Sequence, residues 1–519
     1  MRVIAIVFLM GLIAGPALAG PEVRVVSGIV EGVAADGVSA FKGIPYAAPA
    51  VGDLRWRAPR PAAPWQGVRD AREFGPICPQ VKIASLRAAF AAPPESEDCL
   101  TLNVFTPKLD AGAKLPVMVW IYGGAFRRGG SALPFYDGTE LAQRGVVAVT
   151  FNYRLGWLGF LAHPALGDEA PGEPRGNYAL LDQIAALEWV KRNIEAFGGD
   201  PANVTIFGES AGGVSVNHLM ISPRAAGLFA KAISQSGSGL GKGKTMAEAE
   251  ADAREFAARH GGALAPLRAL SVDDILADPK NKEGLAAFAP IVDGDLVPGE
   301  VGVLFAEGRF NKVPFMVGAN DHEASLMDMM RMKPQATLAS FGAAARLLRP
   351  AYEANGPLAE DAYARELFGD AVFVAPARAL AAFAAKAGVP AYLYQFTYVT
   401  ERRRGEVPGA GHGAEIPYVF GVRKIEASAG LIGRIMAGGA IFSERDRAMV
   451  GQVQGYWTQF AKSGNPDGEG RFPWRAFDLD RQRWLVIGNN TRLEPLWRHD
   501  KLNAVLTVWE TRTGLTVPK

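Results

Sequence analysis

The chain has 519 residues, 55 basic against 53 acidic side chains for a formal net charge of +2, and 49% hydrophobic residues. That length and apolar content supply a large core, enough for one large domain or up to about three ordinary ones. Charge is interspersed with no long Lys/Arg block, which argues against nucleic acid or an anionic membrane surface as partner.

Taken in order, the N-terminus offers Arg2, an apolar run over 3–14 and Ala17-Leu18-Ala19 before Gly20. This is the build of a cleavable export leader, residues 1–19, and predicts a periplasmic or secreted protein. The run is short for a bilayer span, so no integral membrane segment is expected after its removal. The two cysteines, Cys78 and Cys99, share one early polar segment. In an exported protein such a pair is expected to be oxidised, and without a clustered His pair it makes a poor metal site.

Residues 22–33 read as short strands with glycine turns, and a Pro-rich stretch from Phe41 to about Pro94 reads as an N-terminal layer laid on a later sheet. A doubly wound pattern begins with the strands 102–105, 117–122 and 146–151. Near-continuous apolar character in the second and third implies burial on both faces. A helix is predicted over 178–194, where Leu180, Leu181, Ile184, Leu187, Val190 and Ile194 recur at helical spacing before a Gly-Gly-Asp-Pro stop. Further strands are expected at 232–235, 314–317 and 392–396, and helices at 375–387 and 444–461. Residues 240–310 and 325–370 read as helix-prone excursions that wall a site. The fold class is α/β, one domain over 20–519 with a mostly parallel sheet.

Four stretches carry chemistry. In Thr205-Ile206-Phe207-Gly208-Glu209-Ser210-Ala211-Gly212-Gly213, a β-branched run enters and a helix-compatible run leaves. The glycines flanking Ser210 permit a sharp strand-to-helix turn that exposes its hydroxyl and aims the Ala211 amide at whatever the serine attacks. In Trp120-Ile121-Tyr122-Gly123-Gly124-Ala125-Phe126 an apolar strand runs into small residues whose amides can approach a substrate, as an oxyanion hole requires. Of six histidines, His412 stands on a glycine-rich loop and is the candidate base, whereas His218 lies two helical turns beyond Ser210. The loop Gly318-Ala319-Asn320-Asp321-His322-Glu323 supplies two carboxylates, and residue type alone does not decide between Asp321 and Glu323. The order serine, acid, histidine is that of the α/β-hydrolase arrangement.

With these stretches, and with Phe41 to Tyr46, Glu97-Asp98-Cys99-Leu100, Asn152-Tyr153-Arg154, Leu181-Asp182-Gln183 and Ser234-Gln235-Ser236-Gly237, the chain resembles the type-B carboxylesterases, the cholinesterase and para-nitrobenzyl esterase family, over essentially its mature length. The resemblance implies an α/β-hydrolase fold with helical excursions around an active-site gorge. It implies Ser210 as nucleophile, Glu323 as acid, His412 as base, and the amides of Gly124, Ala125 and Ala211 as oxyanion donors. Glu323 stands five residues after the strand-ending Gly318, where relatives carry the acid. Cys78 and Cys99 match the family's first disulfide, and the lack of further cysteines makes the chain more like bacterial members. Ala125 departs from the third glycine of many relatives, and His322 from their Asp.

The function so implied is hydrolysis of a small-molecule carboxylic ester through an acyl-serine, with no cofactor or metal, by a monomer or weak homodimer. A neutral His412 as base sets activity to rise with pH near the ordinary imidazole value of about 6.5. Lipase, sterol-ester or specialised xenobiotic-ester activity is the nearest alternative, and non-catalytic relatives on this fold typically lack the serine or histidine. Glu209 reads either as a polar wall group or as a structural carboxylate. Gly237 to Thr245 nearly spells a phosphate-cradling loop, but Ser238 stands where its first glycine belongs.

Overall fold

The computed structural model describes residues 20–81, 93–285, 287–421 and 442–518; the predicted leader, 1–19, lies outside the described residues. Eleven strands form the central sheet: β1 (Val33–Ala35), β2 (Val38–Pro45), β3 (Thr101–Thr106), β4 (Leu115–Ile121), β5 (Val147–Phe151), β6 (Gly199–Glu209), β7 (Lys231–Gln235), β8 (Phe315–Asn320), β9 (Ala391–Phe396), β10 (Arg483–Ile487) and β11 (Arg492–Pro495). Their spatial order is β11-β10-β9-β8-β7-β6-β4-β5-β3-β2-β1. The seven strands from β5 across to β10 pair in parallel. Antiparallel strands finish both edges.

Every residue of β3, β5, β7, β8 and β9 is buried; β5 shows the nearly unbroken apolar run that cover on both faces favours, while β3 and β7 bury polar residues as well. Those covers include α1 (Tyr178–Asn193), α2 (Ala211–Ile221), α3 (Ala375–Lys386), α4 (Glu444–Ser463) and α5 (His499–Thr513). Helix α4 starts on a capping box, Ser443 with Asp446, and ends at Gly464 in the left-handed region. Two stretches that carried the family resemblance turn out to be packing devices. Arg154 and Asp182 form a buried two-pronged ion pair at 2.8 and 2.7 Å, and Tyr122 stacks on Tyr153 with ring centres 4.4 Å apart.

Three sequence expectations need correction. The doubly wound part does not begin at β3, which runs antiparallel to both β2 and β5. Only residues 107–114 join β3 to β4, too few for the crossover that a parallel return needs. The N-terminal stretch is only partly a separate layer. Glu22–Val25, Gly28–Glu31 and Val68–Asp70 make a small sheet of their own, but β1 and β2 extend the central one. Strands β10 and β11 went unpredicted, being short, with arginines at the start of each. The excursions are helical as expected, with two short strands, Lys244–Thr245 and Ile291–Val292, paired within the first.

The near-match to a phosphate loop is accounted for locally. Lys244 pairs with Asp252, and Thr245 caps helix Met246–Arg259 through Glu248, so these side chains serve a helix start.

Cys78 and Cys99 are joined, and both are fully buried. Beside them Arg55 grips Glu97 at 2.8 and 2.5 Å, so the chain entering β3 is fixed twice. Closing a loop with a separation of 21 residues is worth about 3 kcal/mol through the unfolded chain. Replacing both cysteines by serine is therefore expected to lower the unfolding free energy by about that amount in denaturant titration. Wild type titrated under reducing conditions is expected to match the variant, and equal stability of oxidised wild type and variant would refute the assignment.

Candidate active site

Strand β6 ends at Glu209 and α2 begins at Ala211, so Ser210 alone makes the turn. Its φ of 58° and ψ of −122° lie in a region L-residues rarely occupy. Two features hold it there. Ser210 N donates to Gln235 O at 2.9 Å, hooking the turn to the end of β7. The flanking glycines let backbones meet: a Cβ on Gly212 would lie 1.9 Å from Ile121 O, and one on Gly208 2.6 Å from the Gly212 carbonyl carbon.

The other parts arrive on neighbouring strands, because a parallel sheet delivers its loops to the same edge. His412 comes from the loop after β9, and Glu323 from the loop after β8. His412 Nδ1–H donates to Glu323 Oε2 at 2.6 Å. The other carboxylate oxygen of Glu323 accepts from Ser236 Oγ at 2.6 Å and Asn320 N at 2.7 Å, so the acid is fixed before it holds the ring. Asp321 lies elsewhere: its Oδ1 accepts from Ala410 N at 2.7 Å. It clasps the histidine loop to the acid loop, a junction extended by His322 N to Ala410 O (3.0 Å), Asn320 Nδ2 to Gly411 O (2.7 Å) and His412 N to Ser325 Oγ (2.8 Å).

On its far side, His412 Nε2 has no hydrogen-bond partner among the described residues, and Glu209 Oε1 stands 3.1 Å away. Glu209 directly precedes Ser210, so this nitrogen lies against the residue that enters the turn. Gly123 closes on the same point, where an added Cβ would lie 3.0 Å from Ser210 Cβ. The loop beyond it carries Gly124, Ala125 and Phe126 at φ of 116°, 56° and 56°. Its Gly124 carbonyl accepts from Arg127 N and Arg128 N. That leaves the fourth edge to the Ala211 amide, at the first turn of α2, where no intrahelical acceptor exists.

Buried charge sets the protonation of this cluster. Burial pushes the Glu209 carboxyl up to about 8, opposed by His412 and reinforced by Glu415 and Glu323. For His412 burial works against the cation, yet Glu209 and Glu323 outweigh it and hold the ring up at about 9. Burial also raises Glu415, whose oxygens accept from Gln235 Nε2 at 3.0 Å and Asn320 Nδ2 at 2.6 Å. His218 sits apart, as its spacing predicts: it bonds the Val214 carbonyl, and burial pushes it down to about 4.

Residues 19–505 match the family model described as the carboxylesterase family. The chain belongs to the carboxylesterase family. It is 40% identical over 470 residues to a fumonisin B1 esterase of Sphingopyxis macrogoltabida, covering 87% of this chain and 84% of that one. It is 37% identical over 486 residues to the para-nitrobenzyl esterase of Bacillus subtilis (strain 168), covering 90% and 94%. A solved structure described as a thermophilic PNB esterase superposes with a TM-score of 0.81 at 34% identity, over 93% of this chain and 99% of that one. This carboxylesterase accordingly has the α/β-hydrolase fold and is a serine carboxylic-ester hydrolase.

Within the carboxylesterase site, sequence reasoning missed the supporting groups. Ser236, Ser325, Asn320 and Glu415 each bond a site residue or its loop, and Phe373 packs on His412 with ring centres 5.0 Å apart. Ser236 and Asn320 had a signal, since each lies at the carboxyl end of a strand adjoining β6 or β7. Phe373 had none, because it belongs to a π-type turn, Asp370–Val374, just before α3.

Proposed function

We propose that Ser210, His412 and Glu323 are the catalytic residues of this ester hydrolase, with the amides of Gly124, Ala125 and Ala211 as oxyanion donors. The observation that carries the reading is the Glu323–His412 pair at 2.6 Å, whose Nε2 makes no hydrogen bond among the described residues and lies 3.1 Å from Glu209, the residue before Ser210. A neutral His412 takes the Ser210 proton through Nε2 as the serine oxygen attacks the ester carbonyl carbon. Glu323 holds the Nδ1–H and stabilises the imidazolium that forms. The three amides bind the oxyanion, each worth roughly 3 kcal/mol. The alcohol departs with the proton from Nε2. Water, deprotonated by the same nitrogen, then cleaves the acyl-serine and releases the acid. These steps use only side chains and amides of the chain. Esters of small alcohols and phenols suit such a site; the para-nitrobenzyl and fumonisin esterases among the relatives support a specialised or xenobiotic ester as substrate.

The reading extends to the whole chain. Residues 1–19 act as an export leader and 20–519 as one catalytic domain, consistent with a disulfide that persists only in an oxidising compartment.

Ser210→Ala is expected to abolish hydrolysis of a para-nitrophenyl ester while circular dichroism and melting stay those of wild type. Retention of more than a few per cent of turnover, contamination excluded, would remove the serine from its role. The two loop carboxylates are separated by a second comparison. Glu323→Gln is expected to cut kcat by up to about 10⁴-fold, because the amide can present the wrong hydrogen-bonding partner to Nδ1. Asp321→Asn keeps an oxygen for Ala410 N and should cost far less; the reverse ranking would reassign the acid.

Protonation gives a third test. The base must be neutral, and its folded pKa is raised by carboxylates, so kcat/KM should rise with pH through a midpoint above the ordinary imidazole value of about 6.5. This departs upward from the expectation drawn from sequence, which lacked the neighbouring Glu209. Removing that charge in Glu209→Gln should bring the midpoint down. A wild-type midpoint at or below 6.5, or one that the variant leaves in place, would refute the electrostatic account.

A further inference from the structure

Arg127 and Arg128 follow directly on the loop of Gly124, Ala125 and Phe126. Among the described residues no carboxylate pairs with either, whereas the buried Arg55 and Arg154 are gripped on two prongs by Glu97 and Asp182 and a third buried arginine, Arg378, rests on the Gln482 amide oxygen. Arg127 is occupied: its Nη1 donates to the carbonyls of Asn281, at 3.1 Å, and Glu283. Arg128 is not. Among the described residues its side chain makes one hydrogen bond, from Nη2 to the thioether of Met330 at 3.2 Å, a weak acceptor.

The position of Arg128 is informative. Its stem packs against Gly124, where an added Cβ would lie 3.2 Å from Arg128 Cγ. Met330 caps the end of the short helix Ser325–Met329, which begins two residues after Glu323. The guanidinium thus spans from the oxyanion loop to the wall that carries the acid, half-buried at the rim of the site. Burial disfavours the charge of both arginines, and the charge of Arg128 weighs further on Arg127. Neighbouring, partly desolvated cations are costly to bury; the Asn281 and Glu283 carbonyls and the Glu283 charge offset this for Arg127, whereas Arg128 has no carboxylate partner among the described residues. The guanidinium fork matches a carboxylate in shape and charge, and one unoccupied fork fits one carboxylate.

We propose that Arg128 anchors a free carboxylate carried by the ester substrate, making this enzyme selective for esters that bear an acid group within reach of the oxyanion loop. The inference rests on the assignment of Ser210 and its loop above. The inner carboxylates do not present a lone charge to such a substrate, since Glu209 lies 3.1 Å from His412 Nε2 and Glu323 is bonded to His412 Nδ1. The acid group belongs either to the acyl part, as in half-esters of dicarboxylic acids, or to the alcohol part, as in esters of hydroxy acids.

Matched esters distinguish these sources: 4-nitrophenyl hydrogen glutarate against 4-nitrophenyl pentanoate for the acyl arm, and carboxymethyl butyrate against ethyl butyrate for the alcohol arm. In at least one arm wild type should favour the anionic member in kcat/KM, and added salt should erode that preference. Arg128→Gln should reduce the anionic-to-neutral ratio by roughly tenfold or more, chiefly through KM, while Arg128→Lys retains part of it. A wild-type enzyme with no salt-sensitive preference in either arm, or ratios unchanged in both variants, would overturn the proposal. Hydrolysis of the neutral esters and its loss in Ser210→Ala report separately on the catalytic assignment, so the anchor can fail while the esterase reading stands.

Discussion

The site depends on one short hydrogen bond, from His412 to Glu323, made where water is excluded. A lone carboxylate in such a place would take up a proton instead of staying charged. Glu323 is not alone, because donors surround it: Ser236 and Asn320 on one oxygen, the imidazole on the other. Each of those donors sits at the carboxyl end of β7 or β8, or on the loop leaving β9. The parallel register of these strands therefore brings the three groups to one edge of the sheet.

A second shell of polar groups keeps the loops from drifting. Trp457 on α4 donates to Gln235 Oε1 at 2.9 Å, Gln235 donates to Glu415, and Glu415 accepts from Asn320, which also donates to Gly411 O. This chain of bonds crosses from a covering helix through the sheet ends to the histidine loop. A buried polar network of this kind is costly when incomplete and rigid when complete. Burial raises the pKa values of both Glu209 and Glu415, and each carboxyl lies against a partner: Glu209 beside His412 Nε2 at 3.1 Å, Glu415 on Gln235 and Asn320.

Much of this was legible in the sequence, for physical reasons that differ by element. Strands β4 and β5 announced themselves because burial on both faces demands nearly unbroken apolar runs, and the end of β6 with the Ser210 turn because a β-branched run leads into Gly208 and Gly212, which close backbone approach demands. His412 was found by its glycine-rich surroundings and by exclusion of the other histidines. The direction of β3 was not legible, since strand sense depends on the length of a connection and not on the strand's own residues. Asp321 and Glu323 were equivalent by residue type; only the register of their loop against residues 410–412 makes one a clasp and the other the partner of His412. Arg128 was equally silent, because its distinction is the absence of a partner carboxylate, which only three-dimensional neighbours reveal.

Backbone strain ties these observations together. Ala125, Phe126, Ser210 and Ser236 all have side chains and all stand at φ between 49° and 58°, a region that disfavours L-residues by about 1 to 3 kcal/mol each. Ser210 turns its hydroxyl out, Ser236 turns its hydroxyl onto Glu323, and the Ala125 and Phe126 pair bends the amide-bearing loop around Gly124. Such conformations persist only when the surroundings over-determine them. Here Ser210 N is tied to Gln235 O, Ser236 N to Gly318 O, and Gly156 N to Phe126 O, so three of the four are pinned by the backbone of a neighbouring segment and Ala125 is held through Phe126 beside it. A glycine at 125 would relax that loop but would also free it to take other conformations. Alanine in a left-handed position is consistent with a loop whose shape is fixed by its attachments, and a fixed shape is what oriented amides need if they are to act on a developing charge without reorganising.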